Sequence, residues 1–84
     1  MSPTVLRDGP YRVFFYSSDR SEAPHVHVSP DARTAKFWLE PVAVANDGEF
    51  PQNELNRIEA LVKEHQIALL KAWHDFFGTG SNNR

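Results

Sequence analysis

The stretch that decides the fold is HVHVSPDARTAKFWLE, residues 25–40. Apolar and polar side chains alternate with a period of two on both sides of the turn sequence PDA, a pattern typical of a β-hairpin. Centring the turn on the Asp-Ala step places His27 opposite Lys36 and His25 opposite Trp38. The pattern therefore predicts two antiparallel strands in a defined register.

The two faces of this predicted hairpin differ in chemistry. The core-facing side holds Val26, Val28, Ala35, Phe37 and Leu39. The other side holds His25, His27, Lys36, Trp38 and Glu40. A shift of the register by one residue would bury the histidines and the lysine, so the pattern itself disfavours that shift.

Further strands are predicted on either side of the hairpin. The segments PTVL (residues 3–6) and YRVFFYSS (11–18) flank the turn sequence RDGP, and the second is rich in aromatic and β-branched residues. PVAVA (41–45) is compatible with a short edge strand, because proline is tolerated at the start or edge of a strand. We expect a mostly antiparallel sheet of about four strands.

From about Gln52 the apolar period becomes helical. Apolar side chains recur at steps of three and four as far as Phe77, and Gly78 is a typical helix stop. A single helix of this length would extend about 39 Å and overhang a small sheet, so a break near EHQ (64–66) is the alternative. We expect one long C-terminal α-helix packed on the sheet, hence an α+β domain over residues 1–78 and a disordered tail over 79–84.

Composition narrows the class of protein. The 84 residues suffice for one small domain, and the net charge of −2 gives no general attraction to nucleic acid or anionic membranes. The chain has no cysteine, no signal-peptide pattern and no apolar run long enough to cross a bilayer. We therefore expect a cytoplasmic protein without a membrane partner.

The histidine pair admits a functional and a structural interpretation. A histidine can transfer protons near neutral pH, a lysine can hold a phosphate, and a tryptophan can stack a base. On the functional interpretation His25 and His27 are catalytic, and the substrate-binding residues are Arg12, Tyr16, Lys36, Trp38 and Glu40. On the structural one, the pair merely lies on the solvent side of a sheet.

Metal binding is a separate question. The histidine pair could chelate a transition metal with Asp19 or Glu22 as a third ligand, but only two ligands are clear. We predict no metal site and no cofactor. His65 lies on the apolar stripe of the helix, where we expect it at the rim of the core.

The aromatic end of the helix is a candidate partner surface. Trp73, Phe76 and Phe77 lie in the segment AWHDFF, where the predicted helix overhangs the sheet. Exposed clusters of this kind are typical of interaction sites.

Four segments together resemble a known family. PTVLRDGPYRVFFYSSD, APHVHV, AKFWLEPV and the helix ending in AWHDFF are similar to the small bacterial proteins of domain of unknown function 4160. The resemblance implies a gene encoded beside a second small protein, of domain of unknown function 2442. That layout is similar to a toxin–antitoxin pair, with this chain as the toxin and the neighbouring product as its cognate partner.

Two functions follow as expectations. The first is a toxin-like component of such a gene pair, acting on RNA through His25 and His27 without metal. The second is a non-enzymatic interaction module that binds a protein through the sheet edge and the aromatic helix end. Whether the chain is an enzyme, in which case it would be ribonuclease-like, and whether it self-associates are left open.

Overall fold

The fold is known from a computed structural model that describes residues 4–16 and 21–78. Within these described residues, five strands precede two helices: β1 Thr4–Asp8, β2 Tyr11–Phe14, β3 His25–Ser29, β4 Ala35–Leu39, β5 Val42–Asn46, α1 Gln52–Glu64 and α2 Gln66–Phe77. The α+β class predicted from the sequence is confirmed.

The strands form one antiparallel sheet in the order β1-β2-β3-β4-β5. This is one strand more than the predicted number of about four, because the segment PVAVA, compatible with a short edge strand in the sequence, forms most of a fifth strand at the edge. A two-residue turn through the cis Glu40–Pro41 peptide reverses the chain and lets β5 pair with β4. Each strand thus pairs with its neighbour in sequence, and β1 and β5 are the edges.

The register predicted for the central hairpin is confirmed. His27 pairs with Lys36 and His25 with Trp38, while the intervening valines pair with Ala35 and Phe37. Because side chains directly opposite each other lie on the same face, the apolar and polar sets separate as the alternation predicts.

The hydrophobic core lies between one face of the sheet and the two helices. From the strands and adjoining residues it contains Tyr11, Val13, Phe15, Val26, Val28, Ala35, Phe37, Leu39 and Phe50. From the helices it contains Leu55, Ile58, Leu61, Val62, Leu69 and Trp73. Burial of this apolar surface is the main favourable contribution to folding.

Two turn positions require glycine. Gly9 has φ of 59° at the first central position of the β1–β2 turn, where type II′ hairpin turns carry glycine. Gly48 has φ of 61°, and a Cβ there would lie 2.5 Å from the carbonyl oxygen of Thr34. The loop before α1 therefore packs directly against the backbone that leads into β4.

The prediction of one long helix is wrong, because the helix breaks at His65. This residue has φ of −103° and ψ of 13°, outside the helical range, and separates α1 from α2. Its N–H still donates to Leu61 O (3.2 Å), and its carbonyl still accepts from Leu69 N–H (2.8 Å). The apolar period therefore continues across the break and conceals it.

The break has a physical cause at the junction itself. The Gln66 side chain donates to the carbonyl oxygen of Leu39 (2.6 Å), and the His65 ring contacts Asp8, so both residues hold the junction to the sheet. Beyond the break, Trp73 and Phe77 of α2 pack against Phe15, which follows β2.

The tail predicted for residues 79–84 lies outside the described residues, as do residues 17–18 of the predicted second strand. Within residues 4–16 and 21–78, neither helix has the length and apolarity needed to cross a membrane.

Candidate functional site

The face of the sheet opposite the helices carries most of the predicted site. We call it the histidine face and define it by Arg7, Arg12, Phe14, Tyr16, Glu22, His25, His27, Lys36 and Trp38. Its residues come from strands β1 to β4 and from the segments that follow β2 and precede β3. The pairings Arg7 with Arg12, Phe14 with His27, and His27 with Lys36 place these side chains on one side of the sheet.

His27 lies at the centre of this face. Its ring stacks on Phe14, with ring centroids 5.5 Å apart and an interplanar angle of 28°. Tyr16 contacts the same ring at 4.6 Å, and His25 approaches it edge-on at 5.1 Å. His27 is half-buried and Tyr16 is 41% exposed, so a ligand on this face would reach both.

His25 is placed differently, although it is only two residues away. Its side chain has 0% exposure and is enclosed by rings of Trp38 (5.6 Å) and Trp73 (5.1 Å). Its Nδ1 lies 2.9 Å from the carbonyl oxygen of Ala23. Because a carbonyl can only accept, Nδ1 carries the proton in this bond. The structure thus brings the predicted pair together but makes only His27 accessible.

The lysine of the face is held by two neighbours. Lys36 Nζ donates to Glu22 Oε1 at 2.6 Å and lies 4.7 Å from the ring centroid of Trp38. The aliphatic stem is mostly covered, so the ammonium group is positioned over the indole ring rather than swinging freely.

Glu22, rather than Glu40, is the carboxylate that contacts this face within the described residues. Its Oε1 also lies 3.9 Å from His25 Nδ1. Glu40 is exposed in the turn between β4 and β5, where the chain has already left the register of the face. The alternation alone assigned Glu40 to this set because it could not show where the strand ends.

Two arginines lie opposite each other at one end of the face. Arg12 pairs with Arg7 across β1 and β2, and its guanidinium lies 4.2 Å from the ring centroid of Phe14. Arg7 was missed by the sequence reasoning. The sequence did indicate its position: the two-residue turn Gly9-Pro10 pairs Asp8 with Tyr11, and the next pair along the strands is Arg7 with Arg12. Like charges in this arrangement repel, and an anion between them would relieve the repulsion.

The predicted partner surface at the end of α2 is only partly exposed. Trp73 is 5% exposed and belongs to the core, where it contacts Phe15 at 5.2 Å and Phe77 at 4.2 Å. Phe76 is 46% exposed and lines a groove of about 390 Å³ together with Val5 and Phe15. This surface therefore consists of Phe76 and the groove rather than of three exposed rings.

The pKa of one tyrosine reports the contact between the sheet and α1. Tyr11 is buried on the helix side and donates its hydroxyl proton to Glu54 Oε2 at 2.9 Å. Burial raises its pKa, the Glu54 hydrogen bond raises it further, and Arg57 lowers it. On the surface, the backbone N–H of Arg33 lowers the pKa of Asp31 by hydrogen bonding to its carboxylate.

Comparison with known proteins identifies the family. No curated protein and no solved structure matches the chain. One family model matches residues 11–74, which run from β2 into α2 and include both histidines of the face. The chain therefore belongs to the family described as Domain of unknown function (DUF4160).

Proposed function

We propose that this chain is the toxin-like member of a bacterial two-gene pair and acts on RNA through the histidine face. The proposed action on RNA is supported by the row of aromatic rings and cationic side chains on the side of the sheet opposite the helices. The gene-pair part rests on the resemblance given above, and the cognate partner is the small protein encoded beside it.

Phosphate groups would bind at the arginine end of the face. Arg7 and Arg12 lie directly opposite each other, and a phosphate between them replaces mutual repulsion with two charge-assisted contacts. The net charge of −2 adds no general attraction. RNA binding therefore depends on these local cations, and its salt dependence is that of a few phosphate contacts.

Bases would stack on the exposed rings. Tyr16 is exposed beside His27, and Trp38 presents a half-buried indole under the Lys36 ammonium group. Stacking of a base on an aromatic side chain contributes roughly 1–3 kcal/mol and tolerates different sequences. Single-stranded RNA fits this arrangement, because its bases are free to unstack from one another and lie against the sheet.

The reaction would proceed through His27. Its ring accepts the proton of a ribose 2′-hydroxyl while the 2′-oxygen bonds to phosphorus. The bond from phosphorus to the 5′-oxygen then breaks, and that oxygen takes a proton from solvent. Lys36 stabilises the charge on the phosphoryl oxygens. Since His25 is enclosed, its role in this scheme is to position the His27 ring.

The test is RNA cleavage by purified variants. We expect the native chain to convert single-stranded RNA into products with 2′,3′-cyclic phosphate ends and His27→Ala to lose that activity. His74→Ala, which removes an exposed histidine on α2, serves as the matched control and should retain it. Expression of His27→Ala should also fail to arrest growth. Equal cleavage by the two variants, or none by the native chain, would contradict the proposal.

Binding is tested separately from cleavage. Arg12→Gln should weaken RNA binding and reduce the slope of log affinity against log salt by about 0.7, the share of one phosphate contact on a single strand. Lys71→Gln removes an exposed cation from α2 and should leave the slope unchanged. An unchanged slope in Arg12→Gln would contradict the proposed phosphate site at the two arginines.

A second candidate function is a protein-interaction module, which the exposed Phe76 and its groove favour. β1 is an edge strand beside this groove, so a partner could pair with the edge and insert an apolar side chain. Phe76→Ala should weaken co-purification with the neighbouring gene product. Ile67→Ala, which removes an 83% exposed apolar side chain from the same helix, is the control. Equal co-purification of both variants would count against this module.

A further inference from the structure

A second cluster of titratable side chains lies on the helix side of the sheet. It comprises Asp8 at the end of β1, Glu64 at the end of α1, and His65 at the helix junction. His65 Nε2 lies 3.1 Å from Asp8 Oδ2, and one ligand atom from each of the three residues lies within 4.8 Å of the others. This cluster is separate from the histidine face, because Asp8 pairs with Tyr11, which faces the helices.

The imidazole of this cluster is held in place by both helices. The backbone N–H of His65 donates to the carbonyl oxygen of Leu61 in α1, and the backbone carbonyl of His65 accepts from the backbone N–H of Leu69 in α2. The residue next to it, Gln66, bonds to the carbonyl oxygen of Leu39 in β4. Contacts with three elements fix the backbone position of His65, and the contact of Nε2 with Asp8 Oδ2 orients the ring. Such preorganisation favours metal binding.

The local charge favours a cation. Two carboxylates meet the C-terminal end of α1, where the helix dipole adds partial negative charge. Lys63, the basic residue in the last turn of α1, lies 3.7 Å from Glu59 and is engaged there. A groove of about 310 Å³ lined by Asp8, Glu64 and Arg57 opens beside the cluster, so an ion can enter from solvent. Arg57 is the cation in this lining, and its guanidinium interacts with the Tyr11 hydroxyl.

We propose that Asp8, Glu64 and His65 bind a divalent transition-metal ion of the zinc class. One imidazole nitrogen with two carboxylates is a mixed nitrogen and oxygen donor set, which zinc accepts, whereas calcium and magnesium prefer oxygen alone. In a tetrahedral site, ligand atoms at about 2.0–2.2 Å from the ion lie roughly 3.3–3.6 Å apart. The observed spacing of up to 4.8 Å therefore has to close on binding, and Glu64 is the exposed member of the cluster, whose side chain has room to rotate.

The three protein ligands leave a coordination position for water, and the ion would fasten the β1–β2 turn to the helix junction. The sequence predicts no metal site, because Asp8 lies 57 residues from His65 and the histidine looks like part of the apolar stripe. The packing of the helices on the sheet brings Asp8 and His65 together. Asp8 also lies outside residues 11–74, so the site is inferred from this chain alone.

The experiment is zinc titration of the full chain after chelator treatment. Calorimetry should show one zinc ion per chain, and excess zinc should raise the melting temperature. His65→Ala should lower the affinity at least ~10-fold, because even the loss of an outer partner of a ligand costs ~10–100-fold. His74→Ala removes an exposed histidine outside the cluster and should bind zinc as the native chain does.

A second pair of variants guards against misfolding. Asp8→Asn preserves side-chain size, and its matched control Asp75→Asn removes an exposed carboxylate from α2. Circular dichroism without zinc should be the same for all four variants, whereas the zinc-induced rise in melting temperature should shrink only in Asp8→Asn and His65→Ala. Equal zinc affinity in His65→Ala and His74→Ala would overturn the proposal, as would loss of zinc binding in His27→Ala alone.

Discussion

The two faces of the sheet bury aromatic rings by different means. On the helix side, Phe37 and its neighbours are fully covered by α1 and α2. On the histidine face, Phe14 is only 2% exposed and His25 is fully buried. Phe14 is covered by neighbouring side chains, among them Arg12 and Tyr16, whereas Trp73 of α2 covers part of the His25 ring.

Because its rings are also covered, the histidine face is a thin second core rather than a bare polar surface. Such a core can hold a ring rigidly while leaving the adjacent ring accessible, as it does for His25 and His27. Trp73 connects the two faces, since it contacts Phe15 of the main core and also the His25 ring. The end of α2 therefore supports the candidate site from behind.

The largest effect should come from truncating one ring on each face. Phe37→Ala should cost about 3–5 kcal/mol of unfolding free energy, because the covering helices cannot collapse into the cavity. Phe14→Ala should cost about 3 kcal/mol, the low end of that range, since individual side chains such as Arg12 and Tyr16 cover it and can close over the cavity more easily than a helix can. Denaturant unfolding measures both values. A loss of less than about 1 kcal/mol in Phe14→Ala would contradict the second core.

The two histidines should separate stability from activity. His25→Ala should lower the unfolding free energy by about 2–3 kcal/mol, because it removes a fully buried ring and its bond to Ala23. His27→Ala should cost less than about 1.5 kcal/mol, since its ring is half-buried, yet it should lose activity on RNA. Thermal melting and RNA cleavage of the same samples give the two readouts. If His27→Ala lowered the unfolding free energy more than His25→Ala does, the structural and catalytic roles of the two histidines would have been assigned wrongly.

Alkaline pH should test the buried contact that Tyr11 makes on the helix side of the sheet. Burial under α1 and the Glu54 bond raise the pKa of Tyr11 above its ordinary 10.0. The folded chain then holds this proton more tightly than the unfolded chain does. Its stabilising contribution is complete below about pH 10 and disappears as pH rises through the folded-state pKa.

Removing the hydroxyl provides the measurement. Tyr11→Phe should cost roughly 1–2 kcal/mol at neutral pH through the lost hydrogen bond and should show a smaller alkaline loss of unfolding free energy. Tyr16→Phe retains Tyr11 and should keep the full alkaline loss. An identical pH profile in both variants would contradict the contribution of Tyr11.

The central hairpin could be predicted in detail because its information is local. A short turn and strict alternation specify one register, and the pairs His25 with Trp38 and His27 with Lys36 follow from it. The burial of His25 could not be predicted in the same way. It depends on Trp73, a residue far along the chain whose position is set by the bend at His65.

The errors have the same origin. The helix break leaves the apolar period intact, because the backbone N–H and carbonyl of His65 keep their four-residue hydrogen bonds to Leu61 and Leu69. The alternation assigned Glu40 to the histidine face, whereas Glu22 is the carboxylate that contacts it. Glu40 follows the end of a strand, where alternation no longer indicates which side chains share a face. Periodicity thus predicted the elements and their faces, whereas contacts between distant elements decided which residues are enclosed.

The smallest effect should come from the ion pair at the rim of the histidine face. Lys36 and Glu22 lie 2.6 Å apart, but the carboxylate is exposed to solvent, so their coupling should be about 0.2–1 kcal/mol. A double-mutant cycle with Lys36→Met and Glu22→Gln isolates that coupling, and Lys36→Met keeps the apolar stem over Trp38. The coupling should shrink further in about 1 M salt, where charges are screened within ~3 Å. A coupling above about 2 kcal/mol that resists salt would mean that this rim is as dry as the main core, and the distinction between the two faces would then fail.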